Sequence, residues 1–269
     1  MSVASDFNPK FIDVDFETSD RYTYGCQGIG ELSTARTFGD AGIPIIPRNE
    51  WKALAAKRKA EKTSAAWLVT RIYNQKQEGS CVANATCQAL EITQTRQFGR
   101  DKVVPLSAMS LYKRIGSSPS SGAMCADGVR EIQQRGALPL DTPENRKLYG
   151  DAVMTNTGWN TPYPPSWTDT AKHLCADEVI VARSFDEMIT GLLLDWAGVV
   201  GRAGHSICYC DVAFDGDRLL VPYPNSWGDW GQAYGYMPSG WGFDSESMAK
   251  QSAGECLFIR SCVYGSKRP

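Results

Sequence analysis

Histidine is nearly missing from this chain: 269 residues hold two, His173 and His205. A site that needs an imidazole base near neutral pH must use one of them. Charge of one sign is also lacking. The net charge is −2 with 22% charged residues, a balance that favours neither nucleic acid nor an anionic membrane as partner. No apolar run approaches the roughly 20 residues of a membrane span, and the longest, Gly191 to Val200, is interrupted by Asp195. Met1 to Asp13 carries Asp6 and Asp13 and no apolar core, so it does not read as a secretory signal, and a cytoplasmic or virion-associated protein is expected. A Gly- and Lys-bearing phosphate loop is missing. Asp215-Gly216-Asp217 lacks the later carboxylates of a calcium loop and reads as a turn.

Cysteine, by contrast, is plentiful. Nine is an odd count, so at least one stays unpaired within a monomer. A chain of this length with 42% hydrophobic residues can bury a core without crosslinks, and thiols in a reducing compartment are expected. Cys208 and Cys210 share one strand face and Cys256 and Cys262 another, but the close-set knuckle of structural zinc is missing. Buried core thiols are the expectation there, with no metal and no cofactor.

Along the chain, residues 1–45 are polar and aperiodic with scattered anchors, Phe11, Phe16, Tyr22 and Tyr24, and read as an extended arm. Arg48 to Lys62 is an amphipathic helix whose lysines form a solvated face. Cys81 to Phe98 contains no Gly or Pro, is rich in Ala, Gln, Leu and Glu, and is closed by Gly99: one long helix. Ser107 is an N-cap for a second helix, and Asp127 to Arg135 forms a third. Residues 150–168, rich in Thr, Asn, Pro and Trp, form an irregular link between lobes. Beyond it the pattern changes to strands. Val179 to Val181 is one, and Ser184 with Glu187 makes a capping box for a helix reaching Trp196. Val199-Val200 starts another strand. His205 to Phe214 alternates, Asp215-Gly216 turns, Arg218 to Tyr223 returns, and Cys256 to Tyr264 is a last strand. The fold class is α+β, with a helical lobe at about 66–165 and an antiparallel sheet lobe at about 166–269.

Cys81 follows Gly79-Ser80 in the first turn of its helix, where unsatisfied backbone N–H groups and the helix dipole favour thiolate. A nucleophilic cysteine needs a base. His173 lies in a polar stretch suited to the surface, whereas His205 begins a strand after Gly201-Arg202-Ala203-Gly204. The returning strand brings Asn225 near His205 as the acceptor that fixes its tautomer.

Asn225-Ser226-Trp227-Gly228-Asp229-Trp230-Gly231 resembles the Asn-Ser-Trp-Gly segment of papain-like cysteine proteases, and Gln75 to Cys81 resembles that family's nucleophile segment. His205 and Asn225 lie 124 and 144 residues beyond Cys81, close to the spacing of about 130 to 150 in the family. The resemblance implies a two-lobe papain-like domain over 46–269, with the Cys-bearing helix packed on the sheet lobe. It implies Cys81 as nucleophile and His205 as its proton partner. Gln75 with the Cys81 amide would form the oxyanion hole, and Asn225 would orient His205. Trp227 would shield that pair, Ser80 would support the turn, and the substrate would be a peptide or protein.

The departures are specific. Glu78 stands where the family has a cysteine and Val82 where it has an aromatic residue, so a usual disulfide is absent and Cys125 lacks its expected partner. Four residues separate Val200 from His205, where the family inserts a long segment that helps build the leaving-group side of the cleft. The family's double glycine is not evident near Cys125-Ala126-Asp127-Gly128. The expected function is thiol hydrolysis of peptide or isopeptide bonds by a divergent viral or bacterial member. The alternative is a papain-fold component of a larger assembly such as a virus particle, its arm clasping a neighbour. Cleavage of peptidoglycan peptides is a third reading. As an inhibitory propeptide the arm is short and poor in helix signals.

Overall fold

A computed structural model describes residues 6–16, 25–33, 35–252 and 256–263. Tyr22, Tyr24 and Tyr264 lie outside them. The helices are α1 (Arg48–Glu61), α2 (Cys81–Phe98), α3 (Ala108–Ile115), α4 (Cys125–Gln134), α5 (Pro143–Tyr149), α6 (Trp167–Ala171), α7 (Phe185–Leu193) and α8 (Glu246–Gln251). The strands are β1 (Cys26–Gly28), β2 (Arg36–Thr37), β3 (Ala123–Met124), β4 (Val179–Ala182), β5 (Ala197–Arg202), β6 (His205–Tyr209), β7 (Ala213–Asp215), β8 (Arg218–Pro224), β9 (Gln232–Tyr234), β10 (Met237–Ser245) and β11 (Cys256–Ile259).

Helix α2 runs through the centre, buried from Cys81 to Thr95. It has no polar face to turn outward, so each buried polar side chain needs an internal partner. Thr86 donates back to Val82 O at 2.7 Å, Thr93 to Ile259 O at 2.8 Å, and Gln94 Oε1 accepts from Val104 N at 2.9 Å. Glu91 accepts from Arg71 Nη2 at 2.8 Å, Tyr73 OH at 2.7 Å and Leu106 N at 2.7 Å. The helical lobe closes on α2 through α3 and α4. Gly128 permits the α4 crossing, because a Cβ there would lie 2.8 Å from Val82 Cγ1 and 2.9 Å from Thr86 Oγ1.

The other side of α2 faces a five-stranded sheet, ordered β2-β4-β11-β5-β6, and beyond it a four-stranded sheet, β7-β8-β10-β9. The strand expected over His205 to Phe214 breaks after Tyr209, and its halves join different sheets. At the break Asp211 is buried, accepting from Ser64 Oγ at 2.8 Å and Tyr234 OH at 2.9 Å. Burial pushes its carboxyl up to about 6, against the hydrogen bonds from Ser64, Val212 and Tyr234 that favour the anion. Other elements differ from expectation at their ends. α4 begins at Cys125, ahead of Asp127, and α7 stops at Leu193, where Asp195 at φ 61° turns the chain. α5, capped by Thr142 and opened by Pro143, precedes the irregular link, and α6 closes it.

The described part of the arm packs on its own chain. Phe7, Phe16, Leu32 and Phe38 are buried, and β2 adds a parallel edge to β4. Among the described residues no helix is long and apolar enough to cross a membrane, and no group of three or more His, Cys, Asp or Glu is placed to hold a metal ion.

Candidate active site

The sequence between Val200 and His205 is short because β5 and β6 form a tight hairpin, pairing Arg202 with His205 around Ala203 and Gly204 at φ 46° and 74°. Two left-handed residues suit the twist of a two-residue turn. His205 thus starts β6, and β8 ends one residue before Asn225. His205 Nε2 and Asn225 Oδ1 are 2.9 Å apart, and the pair is buried. Trp227 lies against the imidazole at 5.1 Å between ring centres, and Phe16 of the arm meets it edge-on at 4.7 Å. The Arg202 guanidinium stacks over Phe16 at 4.6 Å, donates to Asp244 at 2.8 Å, and holds Val14 O at 2.6 Å. Burial pulls the His205 pKa down to about 4; Asn225 opposes this, and the Arg202 charge adds to it. The imidazole is therefore neutral in this arrangement.

Cys81 opens α2 with its thiol 0% exposed, close to Ser206, the residue after His205. The helix-start expectation of a thiolate is overturned for this closed state. Burial, together with the nearby Cys26 thiol, raises Cys81 to about 12, although the backbone amides of Ser206, Val82 and Gly25 act in the opposite direction. Ser80 supplies no side-chain cap and instead accepts from Asn84 Nδ2 at 3.0 Å. Gln75 sits beside the Asn225 segment, its backbone N donating to Ser226 O at 2.8 Å. Its side chain accepts from Ser226 Oγ at 2.5 Å and donates to Glu78 O at 2.8 Å. Glu78 accepts from the backbone N–H of Gly158 and Trp159 at 2.8 and 3.1 Å, so a carboxylate anchors the nucleophile loop to the irregular link. His173 lies apart, in the turn after α6.

Sequence reading missed what covers these residues. Cys26 N and Gly25 N donate to Gly204 O at 2.8 and 3.2 Å, and Gly25 O accepts from Ala123 N at 2.8 Å. The arm therefore bridges the β5–β6 turn and β3. Three glycines allow the fit. A Cβ on Gly25 would lie 2.0 Å from Gly79 O, and one on Gly122 would lie 2.4 Å from Gly25 O. β1 runs parallel to β3. The signal available was weak: scattered phenylalanines and glycines in a polar, aperiodic stretch.

By sequence the chain matches no protein-family model and no curated protein. By structure it is similar to papain-like cysteine proteases. Digestive procathepsin L2 proteinase from Tenebrio molitor larval midgut has a TM-score of 0.61 at 15% identity, over 90% of this chain and 78% of that one. Xylellain, a cysteine protease from Xylella fastidiosa, has a TM-score of 0.58 at 18% identity, over 90% and 98%. Recombinant stem bromelain precursor has a TM-score of 0.53 at 14% identity, over 91% and 78%. The fold is the papain-like two-lobe α+β fold expected from the sequence.

Proposed function

We propose that this chain is a papain-like thiol hydrolase of peptide or isopeptide bonds whose site is held shut by its own residues 13–16 and 25–28. The observation that carries the reading is the His205–Asn225 pair at 2.9 Å, with Cys81 at the start of the central helix against the backbone of Ser206, the residue after His205. An imidazole that donates from Nε2 to Asn225 leaves Nδ1 as the basic nitrogen. In the open form His205 takes the Cys81 proton, the thiolate attacks the substrate carbonyl, and the imidazolium returns the proton to the leaving amine. The Cys81 amide and Gln75 Nε2 hold the oxyanion, with Ser226 fixing the Gln75 carbonyl end. Trp227 shields the His205–Asn225 hydrogen bond from water. The substrate is a peptide or protein. The solved neighbours are proteases, which does not favour an assembly component.

Solvent entering as the arm lifts removes the burial that keeps both groups neutral, and the thiolate–imidazolium pair forms then. A peptidyl epoxide should therefore label Cys81 in the native full chain slowly, at a rate set by arm opening, with no label in Cys81→Ser. Alkylation of the opened form should stay fast well below pH 7. A rate that rises only near the ordinary thiol value of about 8.5 would sink the enzyme reading.

A further inference from the structure

Cys125 lacks the partner that the family resemblance implies, yet it is not isolated. Its Sγ lies 3.7 Å from Cys26 Sγ, across 99 residues of sequence. The contact follows from strand pairing, since Cys26 pairs with Ala123 and Gly28 with Met124, directly before Cys125. Gly201 leaves the two sulfurs room, as a Cβ there would lie 3.1 Å from Cys26 Sγ and 3.6 Å from Cys125 Sγ. Of the nine thiols, Cys26 is the one that is half-buried, the other eight being buried. Its contact with Cys125 also lowers its pKa, the condition for attack on an external disulfide.

We propose that Cys26 and Cys125 are a redox latch: as a disulfide they fasten β1 to the start of α4 and keep Cys81 closed, and as thiols they let the arm lift. The latch regulates the site proposed above and rests on that reading. The oxidant is a low-molecular-weight disulfide such as oxidised glutathione. Cys26 thiolate attacks one of its sulfurs, forming a mixed disulfide and releasing one glutathione thiolate. Cys125, deprotonated, then attacks Cys26 Sγ and releases the second. Two protein thiols are oxidised, one external disulfide is reduced to two thiols, and the two protons lost by the cysteines are taken up by the released thiolates. Rotation of the two side chains must bring the sulfurs from 3.7 Å to the bonded distance of about 2 Å. The backbones are already tied together by Ala123 N to Gly25 O.

The test uses the full chain equilibrated in reduced or oxidised glutathione, with the disulfides mapped by non-reducing peptide mass spectrometry and Cys81 followed by its iodoacetamide rate. A Cys26–Cys125 linked peptide is expected under oxidation, with Cys81 alkylation slowed at least roughly tenfold and restored by dithiothreitol. Cys26→Ser should alkylate at the same rate in both buffers, within about twofold. Cys26 found on Cys81, or left as a glutathione adduct, would overturn the latch. So would a Cys26–Cys125 bridge that leaves Cys81 alkylation unchanged. Neither readout needs turnover. A protein that latches in this way but takes no peptidyl epoxide when reduced would keep the latch and lose the hydrolase.

Discussion

Packed between Phe16, Trp227 and the Arg202 charge, His205 carries a penalty in acid that an exposed histidine does not. Its folded value is about 4, against about 6.5 in the unfolded chain. Between those values the unfolded state binds a proton that the native state refuses, so stability rises with pH across the window and is flat above it. Asp211 and Asp244, both pushed up to about 6 chiefly by burial, act in the opposite direction. The native state holds their protons where the unfolded state has released them, so their contribution falls as pH rises from about 3.8 to 6. The two effects partly cancel in the wild type and separate on substitution. Relative to wild type, His205→Gln should gain on the order of 2 kcal/mol between pH 7 and pH 4.5, read from urea unfolding at both. Curves that shift equally at the two pH values would show that His205 takes up its proton as readily in the native state as in the unfolded chain. Gln75 makes a second prediction at this scale. In arm-opened protein, Gln75→Ala should lower kcat roughly 100- to 1,000-fold, the cost of one oxyanion donor, while epoxide labelling of Cys81 persists.

Helix α2 shows what a buried element demands of its sequence. Several of its polar residues look misplaced until their partners are counted, and Glu91 is the extreme, 1% exposed and bound by Arg71, Tyr73 and Leu106. Glu91→Ala would strand the Arg71 charge and leave the Leu106 N–H without its carboxylate. The expected loss is about 3–5 kcal/mol in urea unfolding, with Glu91→Gln losing less because it keeps an acceptor for Leu106 N. The bounds of α2 were legible because a run free of Gly and Pro ends at a glycine, and Gly99 does sit at φ 88°. The α7 start was legible for the same kind of local reason: Ser184 Oγ accepts from Glu187 N, and the Glu187 carboxylate from Arg183 N. Sheet detail was less legible. β4, β6 and β11 fall in stretches expected as strands, but they are buried on both faces, so no face pattern marks where they end or which sheet they join. The break at Asp211 depends on Ser64 and Tyr234, remote partners that no local pattern shows. For the candidate site, Cys81, His205 and Asn225 could be named from residue type and order, and Gln75 from the family resemblance of the segment before Cys81. Their cover of Phe16, Gly25 and Cys26 could not, because single arm residues and two- and three-residue strands that pair across about a hundred residues leave no periodic trace.

Across the whole molecule, the arm touches both lobes at once: Gly204 and Phe243 on the sheet side, Gly79 and Ala123 on the helical side. A segment that bridges two lobes over Cys81 stabilises their packing and, in the proposed hydrolase, would also exclude substrate, so closure and inactivity would share the same contacts. The interlock at Gly25 offers a way to separate them. Its backbone is not in the left-handed region, so an added methyl brings no conformational strain and its nearest contact is Gly79, with the carbonyl O at 2.0 Å. That oxygen is backbone held by Gly79 N to Pro119 O, and it cannot swing aside as a side chain would. Gly25→Ala should therefore weaken arm docking by the cost of overpacking, about 1–3 kcal/mol, which corresponds to roughly a 5- to 150-fold larger open fraction. The global unfolding midpoint should move less than this, because β1 is short and packs on the edge of the core around α2, not within it. Peptidyl epoxide labelling of Cys81 should rise by the same factor as the open fraction, and hydrogen exchange at Cys26 and Ala123 should rise with it. Faster exchange without faster labelling would mean that the arm opens onto a cysteine that is not the nucleophile.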